Sequence, residues 1–360
     1  MVIAYIKEER LNNSFFQNFQ GMEIGIADNN YIIAIHDKDK KSIQKRLVKK
    51  IYKQKIDAIV FSKELEGKFK DDICEMLKLD DNINVKMING KKLMEYMEFD
   101  IMKYILEKQK HSMRQEDIYI IFKRDNSLNL NFLVRFIENF RMTNIVTNDI
   151  ARLKNVQDNL LDNENILISV SNNKKKALRR AKYVLNVNLT TEELAKYNIN
   201  RNAVIINIRE NVKYSNPGFE GVNVNYFDIK VPDEFDEKFE QMGNNFDLVK
   251  LYESILIAEN FGEASTEKVY EKIARDEIQV KNVIGINGRI SDEELERVGW
   301  NKLLLLHCFG KNKQCIVAIN LIMRKILLIN TWQNAKISLI YSKLFKASKK
   351  SQKRYKIFFS

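Results

Sequence analysis

Polar residues able to hold a ligand follow each of five apolar runs in the middle of the chain. Arg124, Asp125, Asn126 and Ser127 follow the run 118–122, and Asn148 and Asp149 follow 144–147. Ser171, Asn172, Asn173 and Lys174 follow 166–170, Asn188 and Thr190 follow 183–187, and Arg209 and Glu210 follow 203–208. If these runs are strands of a parallel sheet, the residues after them stand at its C-terminal edge, where helix N-termini turn their N–H groups toward a ligand. Asn126, Ser127, Asn148, Asp149, Ser171, Asn172 and Asn173 are therefore the candidate ligand crevice. Asn, Asp, Ser and Thr are also the preferred helix caps, so capping is the competing reading of the same residues.

Other chemistry is thinner. His36 ends an apolar run and reads as a hairpin-edge residue rather than a catalytic base. His111 follows a Lys-rich helix end, where an imidazolium would meet the negative end of the helix dipole. His307, Cys308 and Cys315 lack the fourth ligand and the spacing of a structural zinc site, so no metal is expected. The acid pairs Asp71-Asp72 and Asp80-Asp81 fall at helix starts or in loops, and no nucleophile elbow is visible. Lys91 and Lys92, just after the Asn89-Gly90 turn, read as the solvated start of a helix.

The elements that must position these groups follow from hydrophobic periodicity. In the first hundred residues, 2–6, 58–61 and 83–88 read as strands, and 24–27 with 31–35 as a hairpin around Asp28, Asn29 and Asn30. Residues 42–52 place Ile43, Leu47, Val48 and Ile51 on one helical face, and 71–79 read as a second helix. Leu93, Met97, Ile101, Tyr104 and Ile105 mark one long helix to about Lys110. From residue 117, the five apolar runs alternate with helical segments at 128–140, 149–161, 172–181 and 191–197, the pattern of a parallel sheet covered on both faces. Edge strands are expected at 212–214 and 222–229, helices at 246–257 and 266–273. Asn287-Gly288 signals a hairpin turn, and Ser291 with Glu294 a capping box.

The segments "IYIIFKRDNSLNLNFLVRFIENFRMTNIVTND", "ENILISVSNN", "AKYVLNVNLTTEELAKY" and "AVIINIRE" resemble, in order and spacing, the NAD(P)-binding Rossmann half of the shikimate dehydrogenase and glutamyl-tRNA reductase type. The resemblance covers about a third of the chain. It implies a doubly wound sheet, with Asp149 beside Asn148 at the ribose-binding turn and Ser171 to Asn173 near a pyrophosphate. The glycine-rich turn of that family is missing: no glycine lies between Gly90 and Gly218, so neither dinucleotide nor P-loop fingerprint can form. Side chains at Arg124 to Ser127 would crowd the approach of a diphosphate to the main chain, and Asp125 would repel it.

The net charge of +12 is unevenly placed. Residues 301–360 carry 13 Lys and Arg and no Asp or Glu, leaving 47 basic against 48 acidic residues in 1–300. Three readings of this tail compete: a surface for nucleic acid or anionic membrane, an ordinary basic element packed on the body, or out-of-frame translation of AT-rich DNA. The short apolar start, three scattered cysteines and the lack of about 18 consecutive uncharged apolar residues point to a cytoplasmic chain without a membrane span.

The expectation is an α/β protein, with a small α/β domain at 1–90, a connecting helix at 91–112, a Rossmann-like doubly wound parallel sheet at 113–235, helices plus a hairpin at 236–299 and the basic tail at 300–360. The function expected is non-catalytic binding or regulation by a Rossmann-like scaffold without cofactor, its ligand or protein partner unspecified. The alternatives are an oxidoreductase holding NAD(P) in a glycine-free loop, and binding of nucleic acid or a membrane surface through residues 300–360.

Overall fold

A computed structural model of the chain describes residues 1–9, 22–27, 30–39, 41–78, 85–123, 131–164, 168–235, 239, 245–259, 261 and 265–299. Residues 1–300 form one compact unit. The candidates Arg124, Asp125, Asn126 and Ser127, and the basic stretch with His307, Cys308 and Cys315, lie outside the described residues.

The N-terminal sheet comprises β1 (Ile3–Glu8), β2 (Met22–Ala27), β3 (Asn30–Ile35), β4 (Ala58–Phe61) and β5 (Lys86–Met87), in the order β2-β3-β1-β4-β5. Its strands are parallel except for the β2–β3 hairpin, which pairs as expected from the turn residues. Alternation along β1 sends Ala4 and Ile6 to one face and Ile3 and Tyr5 to the other. The first face is covered by α1 (Lys41–Lys53) and α2 (Lys68–Lys78), through Leu47, Ile51, Ile73 and Leu77.

The second face packs on the residues expected to form one connecting helix. They fold as two, α3 (Lys91–Tyr96) and α4 (Glu98–Gln109), separated at Met97, whose ψ of 10° leaves the helical range. Leu93, Met94, Met97, Ile101, Met102 and Ile105 are completely buried there. They share one core with the inner face of a second sheet.

That second sheet is the doubly wound one. Its six parallel strands are β6 (Asp117–Ile121), β7 (Met142–Val146), β8 (Ile168–Ser171), β9 (Tyr183–Asn186), β10 (Val204–Asn207) and β11 (Val222–Val224). The order β8-β7-β6-β9-β10-β11 reverses direction between β6 and β9, the topological switch of a Rossmann-like fold. Helices α5 (Asn131–Asn139), α6 (Ile150–Glu164), α7 (Lys174–Leu178) and α8 (Thr191–Leu194) follow the first four strands.

No strand forms at 212–214. Val212 instead donates its N–H to Asn225 Oδ1 at 2.8 Å, which holds this segment as a loop against the sheet end. The expected strand 222–229 is split between two sheets: β12 (Tyr226–Lys230) leaves to pair with β13 (Gln279–Gly285), which forms the Asn287-Gly288 hairpin with β14 (Gly288–Arg289). Helices α9 (Leu248–Ala258), α10 (Thr266–Arg275) and α11 (Asp292–Gly299) complete the unit. Among the described residues, no helix is long and apolar enough to cross a membrane.

Candidate functional site

At the switch between β6 and β9, the crevice where a doubly wound sheet receives a dinucleotide is bridged by protein. Asn188 Oδ1 accepts the Lys123 N–H at 2.9 Å, and Lys123 Nζ pairs with Glu193 at 2.7 Å. The described candidates near it are occupied in the same way. Asp149 donates its N–H to Thr147 Oγ1, and Ser171 Oγ accepts from the Asn173 N–H. Asn173 caps α7 by accepting from Lys176 N at 3.1 Å, and Asn148 Oδ1 accepts from Lys174 Nζ at 2.5 Å. Asn172 is exposed beside this group. The structure thus brings Asn148, Ser171, Asn172 and Asn173 together around Lys174, with Asp149 alongside, as capping and turn residues.

The larger opening lies elsewhere. The C-terminal ends of β4 and β5 in one sheet and of β10 and β11 in the other face a common cleft of about 660 Å³. It is lined by Glu66, Lys70, Asn89, Lys91, Asn211, Lys213, Asn225, Tyr226, Asp247, Lys250, Gly285 and Ile286. A second recess of about 630 Å³, lined by Met87, Lys92, Glu95, Arg209 and Ile257 among others, adjoins it through Asn89 and Lys91. Lys91, expected at a solvated helix start, is instead half-buried between the two.

Four lysines line the larger cleft, but they are not equivalent. Lys70 pairs with Glu66 at 2.8 Å, and the buried Lys250 pairs with the same carboxylate. Burial acts to raise the Glu66 pKa, but the hydrogen bonds and charges of Lys250 and Lys70 outweigh it and hold the carboxyl below its usual range. Lys91 has no carboxylate partner among the described residues, and its ammonium donates to the Asn225 carbonyl at 2.7 Å. Burial brings its pKa down to about 8 against the opposing pull of Glu210. Lys92 differs: it points to the surface, pairs with Glu95 at 2.7 Å and lies over the Tyr96 ring.

The loop bearing Lys91 is shaped by two other residues. Gly90 has φ +82°, and a Cβ there would come within 2.0 Å of the Tyr226 hydroxyl, so only glycine lets the tyrosine lie against the start of α3. Glu253, buried on α9, accepts the Leu93 N–H at 3.0 Å and caps α3 from outside the helix. Burial raises the Glu253 pKa against these N–H contacts.

Beneath the cleft runs a chain of three buried asparagines. Asn186 and Asn207 end β9 and β10, and Asn225 immediately follows β11. Asn186 exchanges hydrogen bonds with the Leu189 N–H and carbonyl and donates to Asn207 Oδ1 at 2.9 Å. Asn207 donates to Asn225 Oδ1 at 3.1 Å and to the Val224 carbonyl. None of the three was singled out in the sequence, although each stands at the end of an apolar strand run.

The two histidines among the described residues are structural in setting. His36 Nδ1 lies 3.0 Å from the Glu9 carbonyl and Nε2 3.4 Å from Glu23. His111 closes α4 through its backbone N–H, but its ring turns to Tyr183 Oη at 2.9 Å and Glu116 at 3.1 Å. Burial, with the charge of Lys182, lowers its pKa, which corrects the expected imidazolium at the helix end. Among the described residues, no group of three His, Cys, Asp or Glu side chains could hold a metal ion.

No family model matches the sequence, and no curated protein matches it. Solved structures that match include an ornithine carbamoyltransferase from Pyrococcus furiosus, 10% identical over 60% of this chain and 74% of that one, with a TM-score of 0.24. An ornithine transcarbamoylase from Giardia lamblia is 6% identical over 57% and 72%, with a TM-score of 0.25. An aspartate transcarbamoylase from Trypanosoma cruzi is 9% identical over 57% and 69%, with a TM-score of 0.23. These are transferases rather than shikimate dehydrogenases or glutamyl-tRNA reductases, so the resemblance drawn from the strand-end segments is corrected. The non-catalytic Rossmann-like scaffold and its NAD(P) oxidoreductase alternative are corrected with it, and the basic stretch of the third reading lies outside the described residues. At these TM-scores, no activity passes from the transferases to this chain.

Proposed function

We propose that the chain is an enzyme acting on a small anionic molecule in the cleft between its two sheets, with the Lys91 amine as the proton-transferring group. The observation that carries this reading is the setting of Lys91. It is a half-buried ammonium on one backbone carbonyl, without a carboxylate partner among the described residues, at the junction of two recesses. A lysine with a pKa near 8 has about a tenth of its population neutral at pH 7, enough to take a proton and return it within one turnover.

The charge around it suits an anion. Lys70, Lys91, Lys213 and Lys250 face Glu66 and Asp247 in the lining, and Glu66 is shared by Lys70 and Lys250. Lys91 and Lys213 are left to meet a ligand's negative charge. In this reading the reacting groups are side chains, and no nucleotide is assigned to the cleft. Of the candidate crevice, Asn148, Asp149 and Ser171 to Asn173 enter as capping and turn structure.

Competitive acetylation of the full chain across a pH series, read by peptide mass spectrometry, tests the proposal. Lys91 should label with an apparent pKa near 8, and phosphate or pyruvate should protect it. Labelling of Lys91 with the titration of an ordinary surface lysine, unprotected by either anion, would refute it.

A further inference from the structure

Strand β2 is a sheet edge without the usual protection. It closes one side of the N-terminal sheet with six residues, whereas the other edge strands, β5, β8, β11, β12 and β14, run two to five. An open edge offers unpaired N–H and C=O groups to any second strand, and proteins commonly blunt it with Lys, Pro, a bulge or a short strand. None of these is present: β2 contains no Lys or Pro, and its register with β3 runs unbroken. Glu23 to Ile26 are all exposed, Ile24 by 37% and Ile26 by 74%. The one charge on the strand, Glu23, is met within the same sheet by His36 Nε2 at 3.4 Å.

The pairing with β3 decides which backbone groups face outward. Ala27 and Asn30 form the closing pair of the hairpin, so Gly25 with Ile32 and Glu23 with Ala34 are the pairs that exchange hydrogen bonds between the strands. The Ile35 carbonyl, opposite Met22, accepts the Glu9 N–H instead, as this alternation requires. The N–H and C=O groups of Met22, Ile24 and Ile26 therefore point away from the sheet. Their side chains share one face, because Ile33 and Ile35, opposite Ile24 and Met22, lie in the core beneath α1 and α2, with Met22 packed at its margin.

Such a strand is complementary to itself. Two copies laid antiparallel about a two-fold axis at Ile24 pair Met22 with Ile26 of the partner subunit and Ile24 with the partner's Ile24, which satisfies every outward backbone group of the three residues. All cross-strand neighbours on that face are then apolar. On the opposite face Glu23 stands against the partner's Gly25, so no like charges meet. An axis at Glu23 would set two carboxylates opposite each other, and an axis at Gly25 would leave Met22 beyond the end of the partner's strand.

We infer that β2 is the edge through which two copies of this chain associate, joining their five-stranded sheets into one continuous sheet across Ile24. A second copy is the occupant that both the register and the charge pattern fit. The interface is independent of the cleft and of the reaction assigned to it.

Sedimentation velocity of the full chain over a concentration series tests this. The wild type should form a dimer at high concentration and dissociate on dilution, because one strand edge makes a small interface. Ile26→Lys charges an exposed position on the pairing edge and should weaken association about tenfold or more with the melting temperature of the monomer unchanged. Ile24→Lys sets two ammonium groups directly opposite each other and should weaken it further. Amide hydrogen exchange should slow with concentration at Met22, Ile24 and Ile26 but not at Glu23 and Gly25, which are already bonded to β3. Cross-linking reads the register in a chain whose Cys74, Cys308 and Cys315 are changed to Ser. Ile24→Cys should then form an intermolecular disulfide, because a hydrogen-bonded antiparallel pair sets its Cα atoms about 5.5 Å apart, and Glu23→Cys should not.

A wild type that stays monomeric throughout the series, or a dimer left intact by both lysine variants, would overturn the inference. So would Glu23→Cys cross-linking as readily as Ile24→Cys. The cysteine pair decides the matter even where a lysine variant is destabilised.

Discussion

Replacing Lys91 by Met should change stability in a way that depends on pH, and the dependence isolates the cost of burying the ammonium. The folded-state pKa of about 8 lies below the ordinary 10.5, so the unfolded chain holds this proton more tightly than the folded one. The penalty is therefore fully present below the folded pKa, shrinks as pH rises through the interval between the two values, and vanishes above the unfolded value. Taken at face value, the shift implies that the penalty falls by about 2 kcal/mol from about pH 7 to about pH 9.5. Part of the side chain remains in water, which screens the effect, so we expect about 1 kcal/mol. Lys91→Met also loses the hydrogen bond to the Asn225 carbonyl, but that cost varies little with pH and cancels in the comparison. Urea denaturation of both proteins at the two pH values reads the difference directly: the Lys91→Met protein should compare more favourably with wild type at the lower pH. A difference that is flat with pH would mean the ammonium is not desolvated, and the reading of the cleft as a proton-transfer site would lose its basis.

Other outcomes follow from the same contacts. Glu98 is buried at the start of α4 with Oε1 unpaired, and burial raises its pKa well above the carboxylate range. Glu98→Gln should therefore stabilise the protein by about 1–3 kcal/mol near neutral pH, with the gain lost in acid where both states are protonated; equal gains at both pH values would contradict this. Asn207→Leu takes one of two partners from both Asn186 Nδ2 and Asn225 Oδ1, leaving them the Leu189 carbonyl and the Val212 N–H, and should cost about 1–3 kcal/mol in urea midpoint analysis, against less than about 1 for the exposed Asn172→Ala. Gly90→Ala forces a Cβ onto Tyr226 in a left-handed backbone and should cost at least about 2 kcal/mol, part of which Gly90→Ala with Tyr226→Leu recovers; full additivity of the two changes would refute the contact. Ile101→Ala empties a position between the two sheets and should cost about 2–5 kcal/mol in thermal unfolding, with both lobes melting together because they share that core.

The parts of this fold legible in the sequence are those made by local pattern. Short, mainly apolar runs alternating with helical segments gave the parallel strands β6 to β10, and Asn287-Gly288 gave its hairpin, because both signals act within a few residues. The break at Met97 carries no Gly or Pro, and the expected helix ran through it. The segment 212–214 has a strand's composition, but its Val212 N–H is taken by Asn225 Oδ1, thirteen positions on. Lys91 shows the limit most plainly. Beside the Asn89-Gly90 turn it reads as a solvated lysine, and what buries it is supplied by Asn225, 134 positions away. The asparagine chain did leave a signal, the same residue type closing successive apolar runs at Asn186 and Asn207 and following another at Asn225.

Why the ligand space lies where it does follows from how the sheet's C-terminal edge is spent. At the switch point, Asn188 and Glu193 occupy the backbone and side chain of Lys123, so the crevice that this strand order opens is used to fasten the strand-end loop. Two strands further on, the same edge carries Asn207 and Asn225, whose amides tie β9, β10 and the end of β11 together without filling the space above them. The smaller sheet brings its own C-terminal edge to that place through Asn89, Gly90 and Lys91, which gives the cleft donors and a cation from both lobes. A Lys123→Ala change tests the division: it should leave phosphate and pyruvate titrations at Lys91 as they are in wild type while removing the ion pair to Glu193 and keeping the backbone bond to Asn188. If that substitution abolished anion binding instead, the switch point and not the inter-sheet cleft would be the place where the ligand sits.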